Sequence, residues 1–158
     1  MCGKFQGLVY LTSRDMNRGR SAVEQLNQLG LYPRYHQLDI DDETSVTNLR
    51  DYLVSKYGGL DVIVNNAAYY FKVPGAAEPY AEQASRTIGT NYFHTRRVSS
   101  ILFPILRPHA RVVNVTSVSG HMSRLTGDGA TVSALRKKLS SDNLDDEELC
   151  ALMQDFVE

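Results

Sequence analysis

LDVIVNNAAYYFKV, residues 60 to 73, is an apolar run that ends on two asparagines, two alanines and a block of aromatics. A solvated hairpin would carry Gly or Pro there, so paired amides and aromatic bulk suit a strand end that meets a ligand. LDVIVNN (60 to 66) reads as apolar on both faces, as a strand covered by helices on each side must be. Its flanks show the same alternation. GLVYLTS (7 to 13) is a short run of strand formers, followed by Val23, Leu26 and Leu29 at helical spacing before Gly30. PRYHQLDI (33 to 40) alternates as a partly buried strand. Asp42 then caps a helix whose stripe is Val46, Leu49, Leu53 and Tyr57, stopped by Gly58-Gly59.

Downstream, a helical stretch runs from about Tyr80 towards Pro104, which should kink or end it. RVVNVTS (111 to 117) reads as another two-sided strand, and a polar loop leads to helical segments near 131 to 140 and 145 to 157. In the last of these, Asp145 is placed as N-cap with Glu148 at the third helical position, and Leu144 is placed to staple against Leu149. Strands alternating with helices of this length imply right-handed crossovers and a parallel sheet covered on both faces. Ligands of such sheets bind at the carboxyl ends of the strands. The unusual polar residues gather there: Ser13-Arg14, Asp39, Asn65-Asn66 and Thr116-Ser117.

The bulk properties narrow the function classes. At 158 residues the chain is one domain by length. Its net charge of -1 gives no electrostatic case for nucleic acid or an anionic membrane, and the basic residues are scattered, apart from short pairs such as Arg96-Arg97. The longest apolar stretches, such as Ile101 to Leu106, are too short to span a bilayer, and a cytoplasmic location is expected. Cys2 and Cys150 sit at opposite ends, and the four histidines lack metal-ligand spacing, so neither a disulfide framework nor a metal site is expected.

Taken together, TSRDMNRG, YHQLDIDD, YGGLDVIVNNAAYYFKV, TNYFHTRRV and RVVNVTSVSG resemble the NADPH-dependent carbonyl reductases of the short-chain dehydrogenase/reductase family. The resemblance implies a doubly wound, Rossmann-type fold that moves hydride from NADPH to a ketone, aldehyde or quinone. NNAA matches the family's N-N-A-G signature, which gives Asn66 and Ala67 to the cofactor; Ala68 departs from that glycine. Arg14, beside Ser13 where NAD-specific relatives carry an acid, implies a site for the extra phosphate of NADP. Asp39 and Ile40 match the pair that touches adenine. Phe71, Lys72, Val73 and Gln83 match the substrate side. Ser117 matches the catalytic serine that holds the substrate carbonyl, and Asn91 the helix asparagine that helps to hold a water of the proton relay.

Two family elements are missing from these residues. One is the Gly-rich loop between the family's first strand and helix, whose amides cradle the pyrophosphate. The other is a tyrosine followed four residues later by lysine, downstream of the serine; an unassisted phenol is a poor acid at neutral pH. Tyr52 and Lys56 satisfy that string in the wrong place, ahead of the NNAA strand, and read as helix packing. The expected architecture is therefore an incomplete doubly wound sheet over residues 1–158, lacking the family's first strand and its C-terminal strands. Residues 118–158 form a loop and helical insertion of the kind that distinguishes monomeric carbonyl reductases. The first strand is central in the usual order, so its lack leaves two interior edges bare. The chain is then expected to be marginally stable or self-associating, or to close the gap by pairing its first and third strands. On this reading it is a truncated reductase, inactive alone. The alternatives are a non-catalytic isoform that binds a partner through its strand edges, and a flavodoxin-like phosphoacceptor using Asp39, Asp41 and Asp42 with magnesium.

Overall fold

Apolar spacing and end signals set the element boundaries. The computed structural model describes residues 6–70 and 77–158. In chain order the elements are β1 (Tyr10–Ser13), α1 (Met16–Gln28), β2 (Arg34–Gln37), α2 (Glu43–Tyr57), β3 (Leu60–Asn65), α3 (Tyr80–Ile88), α4 (Thr95–Leu102), β4 (Leu106–Asn114), α5 (Gly129–Leu139) and α6 (Asp146–Asp155). Asp42 caps α2 by accepting the Thr44 N–H, and Gly58 ends it at φ 71°, a left-handed angle that glycine adopts without Cβ strain. The chain divides into two compact units: residues 1–63 with 94–111, and residues 64–93 with 112–158.

In the first unit β1 and β2 pair in parallel, with Tyr10 opposite Arg34 and Ser13 opposite Gln37. Gly19 lets α1 lie against this pair, since a Cβ there would overlap the Tyr35 ring and the Ser13 hydroxyl. The core is built where α2 and α4 meet β3: Val46, Ile63, Val98 and Leu102 are buried together, flanked by Leu38, Ile40, Leu60, Ile101, Ile105 and Leu106. At the amino ends of the strands a row of phenols closes the layer. The Tyr10 hydroxyl bonds those of Tyr52 (2.8 Å) and Tyr57 (2.7 Å), while Lys56 donates to Tyr52 (3.1 Å) and Arg34 to Tyr57 (2.5 Å). The bond to Tyr52 holds the Lys56 ammonium above its usual pKa.

Several sequence expectations are corrected. Among the described residues β3 pairs with β4, and no ladder joins β1 to β3, so the expected pairing of the first and third strands does not form. The long helix after Tyr80 is interrupted: a wide π turn, Gly89–His94, separates α3 from α4, and a tight turn, Phe103–Ile105, carries Pro104 past the end of α4. β4 starts at Leu106 rather than at residue 111. Arg107 explains the early start, for its guanidinium donates to Asp61 (2.6 Å) and to the Tyr57 carbonyl, tying this segment to the start of β3. Finally, the far part of β4 is not buried on two faces. Val112, Val113 and Val115 are 38%, 45% and 55% exposed, because no described element covers them.

In the second unit α6 starts as the sequence predicts, with Asp145 accepting the Glu148 N–H at 2.8 Å. The Glu148 carboxylate lies 3.8 Å from the Lys138 ammonium of α5. Asp128 caps α5 by accepting the Thr131 N–H at 2.9 Å. Hydrogen bonding, to Thr131 foremost, holds its carboxyl below the usual carboxylate pKa. A folded pKa below the unfolded one stabilises above the unfolded value, about 3.9, and the benefit fades as pH falls through the folded value. The Thr131 amide resonance should therefore move and lose exchange protection below about pH 4. In Asp128→Asn, whose amide caps without titrating, it should not; identical acid behaviour in both chains would refute the assignment.

Candidate functional site

Short strands followed by capped helices leave their carboxyl ends as open turns, and Arg14, Asp39, Ile40, Asn66, Ala67 and Ser117 fall on such turns. In the first unit Ser13 ends β1. Its hydroxyl donates to the Asp15 carbonyl (2.7 Å) and is 3.2 Å from the Tyr35 hydroxyl, so its side chain is fixed against the sheet. Arg14 follows, exposed, with its carbonyl accepting the Gln37 amide (3.2 Å) and its guanidinium without a carboxylate partner among the described residues. An unpaired, solvated guanidinium at a strand end fits a phosphate monoester, which takes such a fork in two parallel hydrogen bonds.

The turn after β2 carries Asp39 and Ile40. The Asp39 N–H donates to the buried Ser45 hydroxyl (2.9 Å), and its carboxylate accepts the Asp41 N–H (3.1 Å). Ile40 packs its side chain against the core cluster. The three aspartates here face separate donors: Asp39 the Asp41 amide, Asp41 the His94 ring (2.5 Å), Asp42 the Thr44 amide. No group of His, Cys, Asp and Glu among the described residues is arranged to hold a metal ion.

In the second unit Asn65 ends β3. Its carbonyl accepts the Val115 N–H (2.9 Å), and its amide donates to the Asn114 side chain (2.8 Å), which fixes the strand end beside β4. Asn66, Ala67 and Ala68 follow as exposed backbone. Asn91 reaches this segment from the π turn: its carbonyl accepts the Tyr69 N–H (2.7 Å) and its amide donates to the Tyr69 carbonyl (2.9 Å). The clamp is bidentate and fixes the backbone just past NNAA; one lone pair and one N–H of the side chain remain for a water. Arg86 lies over the Tyr69 ring, 5.5 Å from its centroid. Ser117, three residues past β4, is exposed, and its oxygen accepts the Ser119 N–H (3.2 Å), leaving the hydroxyl proton to donate. Gln83 is spent locally, its amide donating to the Glu78 carbonyl (2.9 Å) at the start of α3. Phe71, Lys72 and Val73 lie outside the described residues.

The sequence reading missed Arg97. Noted there only as half of a short basic pair, it is half-buried on α4, and one guanidinium nitrogen donates to the carbonyls of Ile40 (3.0 Å) and Asp41 (2.8 Å). A signal was present: Arg97 precedes Ile101 by four residues and adjoins Val98, so it shares the inner face of the helix.

Tyr52 and Lys56 are hydrogen-bonded, as a catalytic pair would be, but the phenol is tied into the row at the amino ends of the strands and its ring stacks at 4.8 Å from His36.

The strand-end turns thus carry polar residues in each unit: Ser13, Arg14 and Asp39 in the first, and the clamped segment after NNAA and the exposed Ser117 in the second. The chain belongs to the short-chain dehydrogenase family, whose model matches residues 2–129. Over its whole length it is 46% identical to carbonyl reductase (NADPH) 1 of Macaca fascicularis and 47% identical to carbonyl reductase (NADPH) 3 of Mus musculus, and it covers 55% of each. The chain thus spans about half the length of the curated relatives it matches. Among solved structures it is similar to menthone neomenthol reductase from Mentha piperita: TM-score 0.78, 30% identity, covering 94% of this chain and 64% of that one. Among the described residues no helix is long and apolar enough to cross a membrane.

Proposed function

We propose that this chain is the middle portion of an NADPH-dependent carbonyl reductase and that the 158 residues alone do not turn over. The observation that carries the reading is alignment of the whole of this chain to part of the carbonyl reductases at 46–47% identity, in a chain whose Ser117 is exposed and whose Oγ accepts the Ser119 N–H. NADPH, when bound, supplies the hydride. Arg14 holds the 2′-phosphate, Asp39 and Ile40 border the adenine, and Asn66 and Ala67 bring their backbone to the cofactor. Ser117 donates a hydrogen bond to the substrate oxygen and so orients the carbonyl and offsets charge that develops there. Asn91 keeps the segment past Ala67 in register through Tyr69 and retains capacity for a relay water.

An alkoxide formed by hydride arrival must also be protonated, and Ser117 alone is too weak an acid to do so. The only Tyr-x-x-x-Lys string in these residues is Tyr52–Lys56, whose phenol already accepts from Lys56 and bonds Tyr10. Nor do these residues contain the Gly-rich turn that would hold the pyrophosphate. The purified chain, given NADPH and a quinone, should therefore oxidise NADPH no faster than the protein-free mixture. Absorbance loss at the nicotinamide band that scales with protein concentration would overturn this reading. Small carbonyl compounds are the substrate class, in keeping with the carbonyl reductases to which the chain is 46–47% identical.

A further inference from the structure

A turn at a strand end can present a ligand surface only if its backbone is fixed, and the turn Leu38–Asp42 is fixed from two directions. From within, Ser45 is the hub: its hydroxyl, 5% exposed as a residue, accepts the Asp39 N–H and donates to the Gln37 side chain (3.3 Å). From across the core, α4 supplies the Arg97 nitrogen that bridges the carbonyls of Ile40 and Asp41, and the wide turn before α4 supplies His94, 2.5 Å from the Asp41 carboxylate.

From this geometry we infer that Arg97 and His94 form a latch that positions the Asp39–Asp41 turn for the adenosine end of a 2′-phosphorylated nucleotide. The inference rests on the reading of Asp39 and Ile40 as the adenine border. One donor group bridging two successive carbonyls forces both to point towards it, so the peptide plane between Ile40 and Asp41 cannot flip. That plane sets the direction of the Asp39 carboxylate, which accepts the Asp41 N–H of the same peptide. The bonds of the Arg97 guanidinium go to main-chain carbonyls, and its buried Nε has no hydrogen-bond partner. A cation placed for packing alone would leave its nitrogens to solvent or to a carboxylate. Here the cost of an unsatisfied Nε is accepted while the carbonyls are held, which marks the turn's shape as what the side chain serves. Ile40 adds the third constraint, its side chain seated on Val46, Val98 and their neighbours. His94 closes the outer side, its ring 29% exposed, where it ties the Asp41 side chain down independently of the backbone.

The test uses the whole chain in four forms: unchanged, Arg97→Gln, Arg97→Lys and His94→Gln. Amide hydrogen exchange at residues 39–42 is measured without ligand, and binding of adenosine 2′,5′-bisphosphate is followed by NMR titration. Arg97→Gln should speed exchange there and weaken the bisphosphate, each by roughly 10- to 100-fold, the equivalent of one or two charge-assisted hydrogen bonds. Arg97→Lys should recover part of both, since an ammonium reaches one carbonyl but lacks the planar fork. Should Arg97→Gln fail to fold, His94→Gln, on the exposed side, carries the same two readouts with a smaller effect in each. Unchanged exchange in a folded variant overturns the latch. Faster exchange with undiminished binding overturns its positioning role. An unchanged chain that binds no bisphosphate at millimolar concentration overturns the adenine reading itself, and is told apart from a failed latch by the ligand-free exchange.

Discussion

Leu102→Ala should remove most of the stability of the first unit, lowering the urea midpoint of its unfolding by more than half. Leu102 is 4% exposed on α4 and packs in the cluster with Val46, Ile63 and Val98. Truncating a buried leucine costs about 2–5 kcal/mol, the transfer energy plus the cavity left behind. Domains of ordinary size hold only about 5–15 kcal/mol in total. This core is thin: among the described residues of the first unit only six hydrophobic ones are buried, Val46, Leu49, Leu53, Ile63, Val98 and Leu102. Each therefore carries a large share. Leu29→Ala, at a residue 74% exposed past the end of α1, is the matched control and should shift the midpoint little. Equal shifts for the two substitutions would show that the cluster around Val46 is not what holds the unit together.

What the sequence made legible is what local chemistry decides. Asp42, Gly58 and Asp145 act as end signals because capping needs only the residue and its next few amides, and the structure has all three in those roles. The alternation of strand and helix likewise follows from apolar spacing. What could not be read depends on distant partners. β4 runs through Pro108, a residue that reads locally as a breaker, because Arg107 is anchored to Asp61 and Tyr57 nearly fifty residues earlier. The valines of RVVNVTS read as two-sided core, yet sequence cannot say whether the covering layer is present, and here they are exposed. The same holds for the site. Ser117 and Asn66 stand at strand ends, where periodicity places them, whereas the bidentate grip of Asn91 on Tyr69 and the bridge from Arg97 to the turn after β2 required the fold.

Ser117→Ala should produce the largest functional loss, measured in a chimera in which this chain replaces the matching segment of a curated carbonyl reductase (NADPH) 1. The chimera adds the relative's segments on either side, which on the proposed reading complete the cofactor site, without altering Ser117. Its hydroxyl is positioned by a single local bond, the Ser119 N–H donating to Oγ, and among the described residues no acceptor competes for its proton. As hydride reaches the carbonyl carbon, negative charge builds on oxygen, and a pre-aimed donor strengthens its bond in that state more than in the ground state. Deleting such a donor lowers kcat on the order of 10²- to 10³-fold, and if the serine serves the carbonyl and not the nucleotide, as proposed, the KM for NADPH should stay put. Tyr52→Phe in the same chimera should leave kcat within about threefold, since the hydroxyl lost there belongs to the row with Tyr10 and Lys56 and its cost falls on stability. The two substitutions together separate donor from decoy. A chimera that keeps its kcat without the Ser117 hydroxyl, or loses it with the Tyr52 hydroxyl, would invert the assignment, because the charge that develops on the carbonyl oxygen must be met by whichever group is aimed at it.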